Sequence, residues 1–248
     1  MQLDLTGQRI LVTGGSRGIG AALVKALQAA GATVAVHYHR AQAAAEALAA
    51  PGLALQADLG DPVACAALFE NAVQALGGLD TLVNNAGLAL HAPDSADDSA
   101  WLSAWQRTLS VNLQAAAILS RLAIRQFGTQ DGGRLIHIAS RAAFRGDTPD
   151  YLAYAASKGG MVALHRSIAR GYGKQNIKSF LIAPGFVRTD MAQDFFDEYG
   201  EDYALNDIAL PKLTEPADLG PTVVLFASGL ADHATGCTLD INAGSYVH

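Results

Sequence analysis

The sequence has little charge, few cysteines and no long apolar runs. Only 16% of its 248 residues are charged and the net charge is −6, so no basic surface for binding nucleic acid is expected. Cys65 and Cys237 lack metal-site spacing, which predicts reduced thiols and no metal. No segment reaches the roughly 18 apolar residues of a membrane span, and the N-terminus has no signal-peptide pattern. We therefore expect a cytoplasmic protein that binds neither nucleic acid nor membrane.

Apolar residues, in contrast, make up 50% of the chain, and they fall into alternating strand-like and helix-like segments. The patterns predict strands at residues 9–13, 33–37, 53–56, 79–83, 134–139, 178–182 and 238–241. They predict helices at residues 19–30, 41–50, 99–127, 151–174 and 214–228, with another beginning at Asp61-Pro62. Repeated β-α-β units predict an α/β protein with a doubly wound parallel sheet and helices on both faces. We expect a single domain over residues 1–248.

A glycine-rich segment, Thr13-Gly14-Gly15-Ser16-Arg17-Gly18-Ile19-Gly20, joins the first predicted strand to the first predicted helix. Glycines at such a junction let the backbone approach a diphosphate closely, and the helix N-terminus directs free N–H groups and its dipole at the anion. A glycine turn that only permits tight packing is the alternative. Its place in the first β-α-β unit favours a dinucleotide site.

The end of the second predicted strand bears on the choice of dinucleotide. An acid there would accept hydrogen bonds from the adenosine ribose and repel a 2′-phosphate. This chain has His37-Tyr38-His39-Arg40 instead, and Arg17 lies in the glycine loop. Guanidinium groups suit a phosphate by charge and by geometry, so NADP(H) is predicted in preference to NAD(H). The alternative is that Arg17 and Arg40 are solvated surface charges.

A tyrosine and a lysine four residues apart, Tyr154 and Lys158, lie on another predicted helix, where this spacing puts them on one face. A nearby ammonium stabilises a phenolate and makes proton exchange with a substrate oxygen feasible. Ser140 follows the fifth predicted strand, at the sheet edge where such folds bind ligands. Its hydroxyl can hold the substrate oxygen beside Tyr154. Together with the glycine loop, these residues predict hydride transfer between a nicotinamide cofactor and a carbonyl or alcohol.

With these motifs, the sequence resembles the short-chain dehydrogenase/reductase family over nearly its whole length. The matching motifs are Thr13-Gly14-x-x-x-Gly18-x-Gly20, Asp58-Leu59, Asn84-Asn85-Ala86-Gly87, the set Asn112, Ser140, Tyr154 and Lys158, and Pro184-Gly185 with Thr189. The resemblance implies a Rossmann fold of about seven strands. It implies cofactor contacts from Gly14, Ser16, Arg17, Gly18, Ile19, Gly20, His39, Arg40, Asp58, Leu59, Asn85, Ala86, Gly87, Tyr154, Lys158, Pro184, Gly185, Val187 and Thr189.

The same resemblance implies roles for the four catalytic positions. Tyr154 would donate or accept the proton while Ser140 orients the carbonyl. Lys158 would bind the nicotinamide ribose and lower the pKa of the tyrosine. Asn112 would hold a water in a proton relay to solvent.

Within the family, the chain is most similar to 3-oxoacyl-(acyl-carrier-protein) reductases, including its Asn242-Ala243-Gly244 motif. This implies an NADPH-dependent reductase acting on a 3-oxoacyl thioester or a related small carbonyl compound. However, the two basic positions that dock the acidic carrier protein fall on Asp131 and Gln175, although Lys174 and Lys178 are near. Alternatives are an NAD(P)-dependent alcohol, polyol or sugar dehydrogenase and a cofactor-binding protein without catalysis.

The substrate side of the site is expected in residues 186–213, where Phe195, Phe196, Tyr199 and Tyr203 favour an apolar or aromatic pocket. Arg141 and Arg145 beside the catalytic serine can attract a substrate anion, but salt bridges to acidic side chains are favoured. The resemblance implies a homotetramer built on the helices at 99–127 and 151–174. The apolar residues expected to fit that interface are Ala115, Ala116, Ala117, Met161 and Leu164.

Overall fold

One parallel sheet of seven strands organises the protein. The structure is a computed structural model that describes residues 3–190, 196–197 and 200–247. The strands lie in the order β3-β2-β1-β4-β5-β6-β7, and every neighbouring pair is parallel. Their bounds are β1 Arg9–Val12, β2 Thr33–Tyr38, β3 Ala54–Gln56, β4 Thr81–Asn84, β5 Gly133–Ile138, β6 Ile177–Pro184 and β7 Thr238–Ile241. The predicted doubly wound sheet is confirmed.

Helices cover both faces of this sheet. They are α1 Gly18–Ala29, α2 Gln42–Glu46, α3 Pro62–Leu76, α4 Asp98–Leu109, α5 Ala115–Phe127, α6 Ala142–Arg145, α7 Leu152–Tyr172, α8 Glu201–Asn206 and α9 Gly220–Ala227. Alternate residues of a strand serve opposite faces. In β1, Ile10 and Val12 pack in the cluster that contains α1 and α9, whereas Leu11 packs in the cluster that contains α3 and α5. Both faces are therefore apolar, as parallel strands require.

The predicted helix over residues 99–127 is interrupted. A π-helical turn, Ser110–Gln114, separates α4 from α5, and Asn112 lies within it. The Asn112 side chain is fully buried and bonded to the backbone of Leu88 and to Ser157. Such turns insert one extra residue and are frequent at functional sites. The hydrophobic pattern misses the turn because the residues on either side remain helical.

Two helix ends also differ from the sequence prediction. The predicted helix at 41–50 extends only over α2, and the predicted cap at Thr214 is wrong. Glu215 caps the next turn instead, in a reciprocal capping box with Asp218. The reason is that Pro216 occupies the first helical position, where its missing N–H is no loss. The Asp61 cap before α3 is confirmed, since its carboxylate accepts the Val63 N–H at 2.8 Å.

Several residues expected at a subunit interface lie inside the protomer. Ala115, Ala116 and Met161 are at most 5% exposed and pack in the core, because the faces of α5 and α7 that carry them lie on the sheet. Both cysteines are free thiols. Within the part of the chain that the structure describes, no helix is both long enough and apolar enough to cross a membrane.

Candidate active site

The glycine loop between β1 and α1 has the conformation that its sequence requires. Gly14 and Gly18 adopt positive φ angles of 62° and 52°, a region that side chains disfavour. A Cβ on Gly20 would lie 2.0 Å from the Gly14 carbonyl oxygen, so only glycine fits there. The loop and the first turn of α1 therefore pack too closely to admit side chains, and this leaves the backbone exposed to a ligand.

A buried histidine supports this loop from β2. The Gly14 N–H donates to Nδ1 of His37 at 2.9 Å, and Nε2 lies 3.2 Å from the Ala57 carbonyl oxygen. Nδ1 must then be unprotonated and Nε2 must carry the proton. Burial lowers the pKa of His37 to about 4, so the ring is neutral at physiological pH. Sequence reasoning treated His37 only as part of the strand end and missed this support.

The loop is also tied to the end of β4. The Asn85 side-chain amide donates to the carbonyl oxygens of Thr13 at 2.8 Å and Gly14 at 3.1 Å. In return the Thr13 hydroxyl accepts the backbone N–H groups of Asn85 and Ala86, both at 3.0 Å. The predicted cofactor residues Asn85 and Ala86 are thus placed beside the glycine loop. These bonds fix the two loops to each other at the carboxyl edge of the sheet.

The N-terminus of α1 fits a diphosphate. Arg17 is its N-cap residue, no side chain caps the helix, and no acid lies in its first turn. The backbone donors around Ser16, Gly18 and Ile19 therefore have no side-chain acceptor competing for them, and the helix dipole favours an anion. A Cβ on Gly18 would approach Thr189 to 3.3 Å, which places Thr189 against the same loop. The chain can hold the diphosphate of a dinucleotide here.

At the expected adenosine end, Asp58 is held by an arginine that sequence reasoning missed. The Arg107 guanidinium of α4 donates to both carboxylate oxygens of Asp58, at 2.8 and 3.3 Å. Gly60 makes room for it, because a Cβ there would lie 1.7 Å from Nη1. Hydrogen bonds from Arg107 lower the pKa of Asp58. No spacing rule connects these residues. Leu59, also predicted to contact the cofactor, is 6% exposed and packs in the core.

The predicted phosphate-binding cations lie at the surface. His39 Nε2 lies 4.0 Å from an Asp58 carboxylate oxygen, and Arg40 is exposed next to it. Arg17 is also exposed, and its guanidinium lies 3.7 Å from the carboxylate of Asp190. An ion pair this exposed to solvent is weak, so Arg17 can leave Asp190 and bind a phosphate instead. The guanidinium groups of Arg17 and Arg40 thus remain accessible to a phosphate.

Ser140, Tyr154 and Lys158 are brought together at the carboxyl end of β5. The Ser140 hydroxyl accepts the Ala142 N–H at 3.1 Å and is hydrogen-bonded to the Tyr154 phenol. Burial raises the pKa of Tyr154 to about 12, although the bond to Ser140 acts in the opposite direction. The ligand-free phenol is therefore neutral. The expected lowering of its pKa by Lys158 is absent from this state and stays a prediction for the complex.

Lys158 lies behind the tyrosine. Its Nζ is 5.8 Å from the centre of the Tyr154 ring and donates to the Ile138 carbonyl at 2.8 Å. The residue is 3% exposed, and burial lowers its pKa to about 8. A Cβ on Gly87 would lie 3.3 Å from this Nζ and 3.5 Å from Asn112 Oδ1. Gly87 thus leaves room for a ligand beside the ammonium.

Asn112 makes three side-chain hydrogen bonds. Its Oδ1 accepts the Leu88 N–H at 2.9 Å, and its Nδ2 donates to the Leu88 carbonyl at 2.8 Å and the Ser157 hydroxyl at 3.0 Å. These bonds join the segment after β4 to α7. The structure therefore gives Asn112 a positioning role, and the water relay stays a prediction.

The nicotinamide-side loop follows β6. Gly185 packs so closely on the C-terminal segment that a Cβ would lie 2.8 Å from the Asn242 Cα. Val187 then pairs with Thr214 in an isolated parallel bridge, and the Thr189 hydroxyl lies 3.3 Å from the Val187 carbonyl. Pro184, Gly185, Val187 and Thr189 line the same cleft as Ser140 and Tyr154. The fold thus brings these predicted contacts together.

This cleft has a volume of about 390 Å³. Arg141 and Arg145 line one wall, and both guanidinium groups bond to Asp207 at the end of α8, which confirms the favoured salt bridges. Tyr203 also lines the cleft, and Phe196 packs against Ala204 and Leu213. The predicted Phe195 and Tyr199 lie outside the described residues. Among the described residues, no group of three or more His, Cys, Asp or Glu side chains is arranged for a metal.

Known proteins share these features. The family model described as enoyl-(acyl carrier protein) reductase matches residues 14–246. The chain is 30% identical to a 3-oxoacyl-(acyl-carrier-protein) reductase of Aquifex aeolicus, over 99% of this chain and 100% of that one. It is 31% identical to a versicolorin reductase of Emericella nidulans, over 98% and 97% of the two chains. The chain belongs to the short-chain dehydrogenase/reductase family of oxidoreductases.

Solved structures agree with this assignment. A short-chain dehydrogenase of Burkholderia cenocepacia in complex with NADP superimposes with a TM-score of 0.87 at 34% identity, covering 99% of both chains. A blue fluorescent protein from a metagenomic library, in complex with NADPH, gives a TM-score of 0.89 at 33% identity, covering 98% of this chain and 100% of that one.

Proposed function

We propose that this protein is an NADPH-dependent reductase that converts a ketone into a secondary alcohol, with a 3-oxoacyl thioester or a related small carbonyl compound as substrate. The observation that carries the proposal is the convergence of Ser140, Tyr154 and Lys158 on one cleft beside the glycine loop. NADPH, when bound, supplies the hydride. The two solved structures with NADP or NADPH, together with Arg17, His39 and Arg40, support this cofactor over NADH.

The protein residues supply the proton and the orientation. With its pKa near 12, Tyr154 carries its proton at neutral pH and can donate it to the substrate oxygen as negative charge develops there. The Ser140 hydroxyl can hold the same oxygen. Lys158 remains mostly an ammonium at pH 7, since its pKa is about 8, and its charge stabilises the phenolate left behind. These protonation states suit reduction at neutral pH.

The surface where a carrier protein is expected to dock argues for a free substrate. Asp131 is acidic, and its backbone and side-chain oxygens bind Asn176. Lys178 is only 15% exposed, and its ammonium lies 3.1 Å from Asp232, which also binds Arg134. Its charge is therefore neutralised within the chain. Of the two lysines near this surface only Lys174 is exposed, so an acidic partner meets one cation near the acidic Asp131. A small free ketone, or the corresponding alcohol or polyol in the reverse direction, is therefore favoured over a carrier-bound thioester.

The test is a cofactor and substrate panel. NADPH and NADH oxidation are followed at 340 nm with a short 3-oxoacyl thioester, small ketones and keto sugars. The reverse reaction is followed with NADP⁺ and alcohols or polyols. We expect turnover of free ketones with NADPH, and we expect Tyr154→Phe to lower kcat by about 10²–10⁴-fold while NADPH still binds. Full turnover by this variant, or the absence of turnover with every carbonyl and alcohol, would overturn the proposal.

We also propose the homotetramer. Its support in the structure is that α4 and α7 each expose a leucine, Leu102 at 47% and Leu152 at 52%, and that Trp101 and Trp105 stack on α4. Light scattering after size-exclusion chromatography should give four times the monomer mass. A monomer at micromolar concentration would contradict it.

A further inference from the structure

The substrate cleft contains one charge that no other side chain neutralises directly. Among the described residues lining it, only Arg141, Arg145 and Asp147 are charged. A charged side chain that recognises a substrate in this cleft is therefore one of these three.

The two arginines share one carboxylate partner. The Arg141 guanidinium is 10% exposed, bonds to Asp207 and lies 4.3 Å from the centre of the Phe186 ring. Arg145 donates to the same carboxylate at 2.8 and 3.1 Å and lies 3.3 Å from the Ser245 carbonyl. Through Nη1, both guanidinium groups bind the end of α8, and Arg145 also binds the C-terminal segment, so the two arginines share the single negative charge of Asp207.

Asp147 is different. The one hydrogen bond that the structure gives its carboxylate, among the residues described, comes from the neighbouring Thr148 N–H to Oδ1 at 2.9 Å. Ion pairs within 4 Å are made by Asp207 and Asp150 on this side of the molecule, but not by Asp147. Its Oδ2 is free to accept from a ligand.

The carboxylate is close enough to the reacting groups to matter. Its charge raises the pKa of Tyr154, which places it within electrostatic range of the phenol. The side chain is open to solvent, yet the walls of the cleft desolvate it enough to raise its own pKa, against the opposing effect of Arg141 and Arg145. It thus lies in the same concave site as Ser140 and Tyr154.

We propose that Asp147 is a specificity-determining residue that selects ketones carrying a neutral hydroxyl a few atoms from the carbonyl, so that the substrates are hydroxyketones and the products are diols or polyols. The carboxylate accepts the hydroxyl proton while Ser140 and Tyr154 hold the carbonyl oxygen. The inference rests on the proposed ketone reduction at this site.

The charges of the cleft favour a neutral donor over an ionic one. The two guanidinium charges are balanced by Asp207 and Asp147 together, so a substrate carboxylate or phosphate meets no net positive charge in the cleft. An ammonium would bind Asp147 only within range of the positive charges of Arg141 and Arg145. A hydroxyl avoids both penalties and gains a charge-assisted hydrogen bond.

The test compares isosteric substrates in one enzyme. 4-Hydroxybutan-2-one and pentan-2-one differ by a hydroxyl in place of a methyl, as do 3-hydroxybutan-2-one and 3-methylbutan-2-one. The ratio of kcat/KM within each pair is measured with NADPH for the wild type, Asp147→Asn, Asp147→Leu and the control Asp150→Asn. Asp150 is three residues away but does not line the cleft, and its carboxylate lies 3.6 Å from His91. Because the ratio is internal to each preparation, it does not depend on the fraction of folded enzyme.

In at least one of the two pairs, we expect the wild type and Asp150→Asn to prefer the hydroxyketone over its isosteric ketone by about 10–100-fold in kcat/KM. This is the range for a hydrogen bond to a charged group. Asp147→Asn should reduce this preference, and Asp147→Leu should abolish or reverse it. Ketone turnover without a preference, or with a preference that survives in Asp147→Leu, would overturn the inference and leave the proposed function standing. No turnover of any of the four ketones would overturn both.

Discussion

Acidification from pH 7.5 to 5.0 should destabilise this protein through its buried histidines. His37 and His137 are 2% and 0% exposed, and burial lowers their pKa values from 6.5 to about 4 and about 3. Between pH 6.5 and 4 the unfolded chain takes up protons on these rings that the folded protein excludes. Stability is therefore complete above pH 6.5 and is lost as the pH falls.

The magnitude follows from the shifts. Each buried ring lowers the free energy of unfolding by about 1.4 kcal/mol for every pH unit below the pKa that the ring has in the unfolded chain. The loss at pH 5.0 is about 2 kcal/mol for one ring and about 4 kcal/mol for the pair. Burial also lowers the pKa of His165, so this ring adds a further loss of stability on acidification. The carboxylates with lowered pKa values, such as Asp80 and Asp232, are ionised in both states over this range. A total stability of about 5–15 kcal/mol would fall substantially.

Urea unfolding followed by circular dichroism at pH 7.5, 6.0 and 5.0, at one protein concentration, measures this loss. In His137→Gln the loss from pH 7.5 to 5.0 should be about 2 kcal/mol smaller than in the wild type, because one titrating ring is gone. An equal loss in the wild type and in His137→Gln would refute the reasoning.

Three further predictions concern the two sides of the cleft. Arg40→Asp should shift the NADPH/NADH ratio of kcat/KM toward NADH by at least about tenfold, because a carboxylate that repels the 2′-phosphate replaces a guanidinium that hydrogen-bonds to it. An unchanged ratio would mean that the 2′-phosphate is not recognised at this position. Gly20→Ala should weaken NADPH binding in a fluorescence titration, because the new Cβ would lie 2.0 Å from a loop carbonyl oxygen, whereas Gly171→Ala, with open space around it, should not. Asp207→Asn should lower the free energy of unfolding by about 1–3 kcal/mol, since the guanidinium of Arg141 loses its charged partner; no change in urea unfolding would contradict that account.

The cofactor side of the site is largely predictable from the sequence, because backbone geometry defines it. Gly14 and Gly20 are needed where a Cβ would collide with Ala86 or with the loop itself, and such positions can only be glycine. The order of strands and helices then places the loop, Asn85 and Ser140 at one edge. Helix periodicity likewise places Tyr154 and Lys158 on one face, and the structure has them there.

Side-chain partners that are distant in sequence are not predictable in this way. Arg107 binds Asp58 across 49 residues, and nothing in either local pattern marks the pair. The π-helical turn at Asn112 is also hidden, because it depends on bonds that the side chain makes to Leu88 and Ser157. Helix periodicity continues through it almost unchanged. Such features depend on tertiary geometry and not on local propensity.

On the substrate side of the cleft, too, the partner of a charged side chain cannot be predicted from the local sequence, and this partner affects which substrate is expected. From the sequence, Arg141 and Arg145 beside the catalytic serine can either attract a substrate anion or form salt bridges to acidic side chains, and the salt bridges are favoured. The structure pairs both guanidinium groups with Asp207, more than 60 residues away, an acceptor that no local pattern identifies. The Asp147 carboxylate lines the same cleft and, among the described residues, makes no ion pair within 4 Å. A substrate therefore meets a carboxylate as well as the two guanidinium groups that the local sequence emphasises.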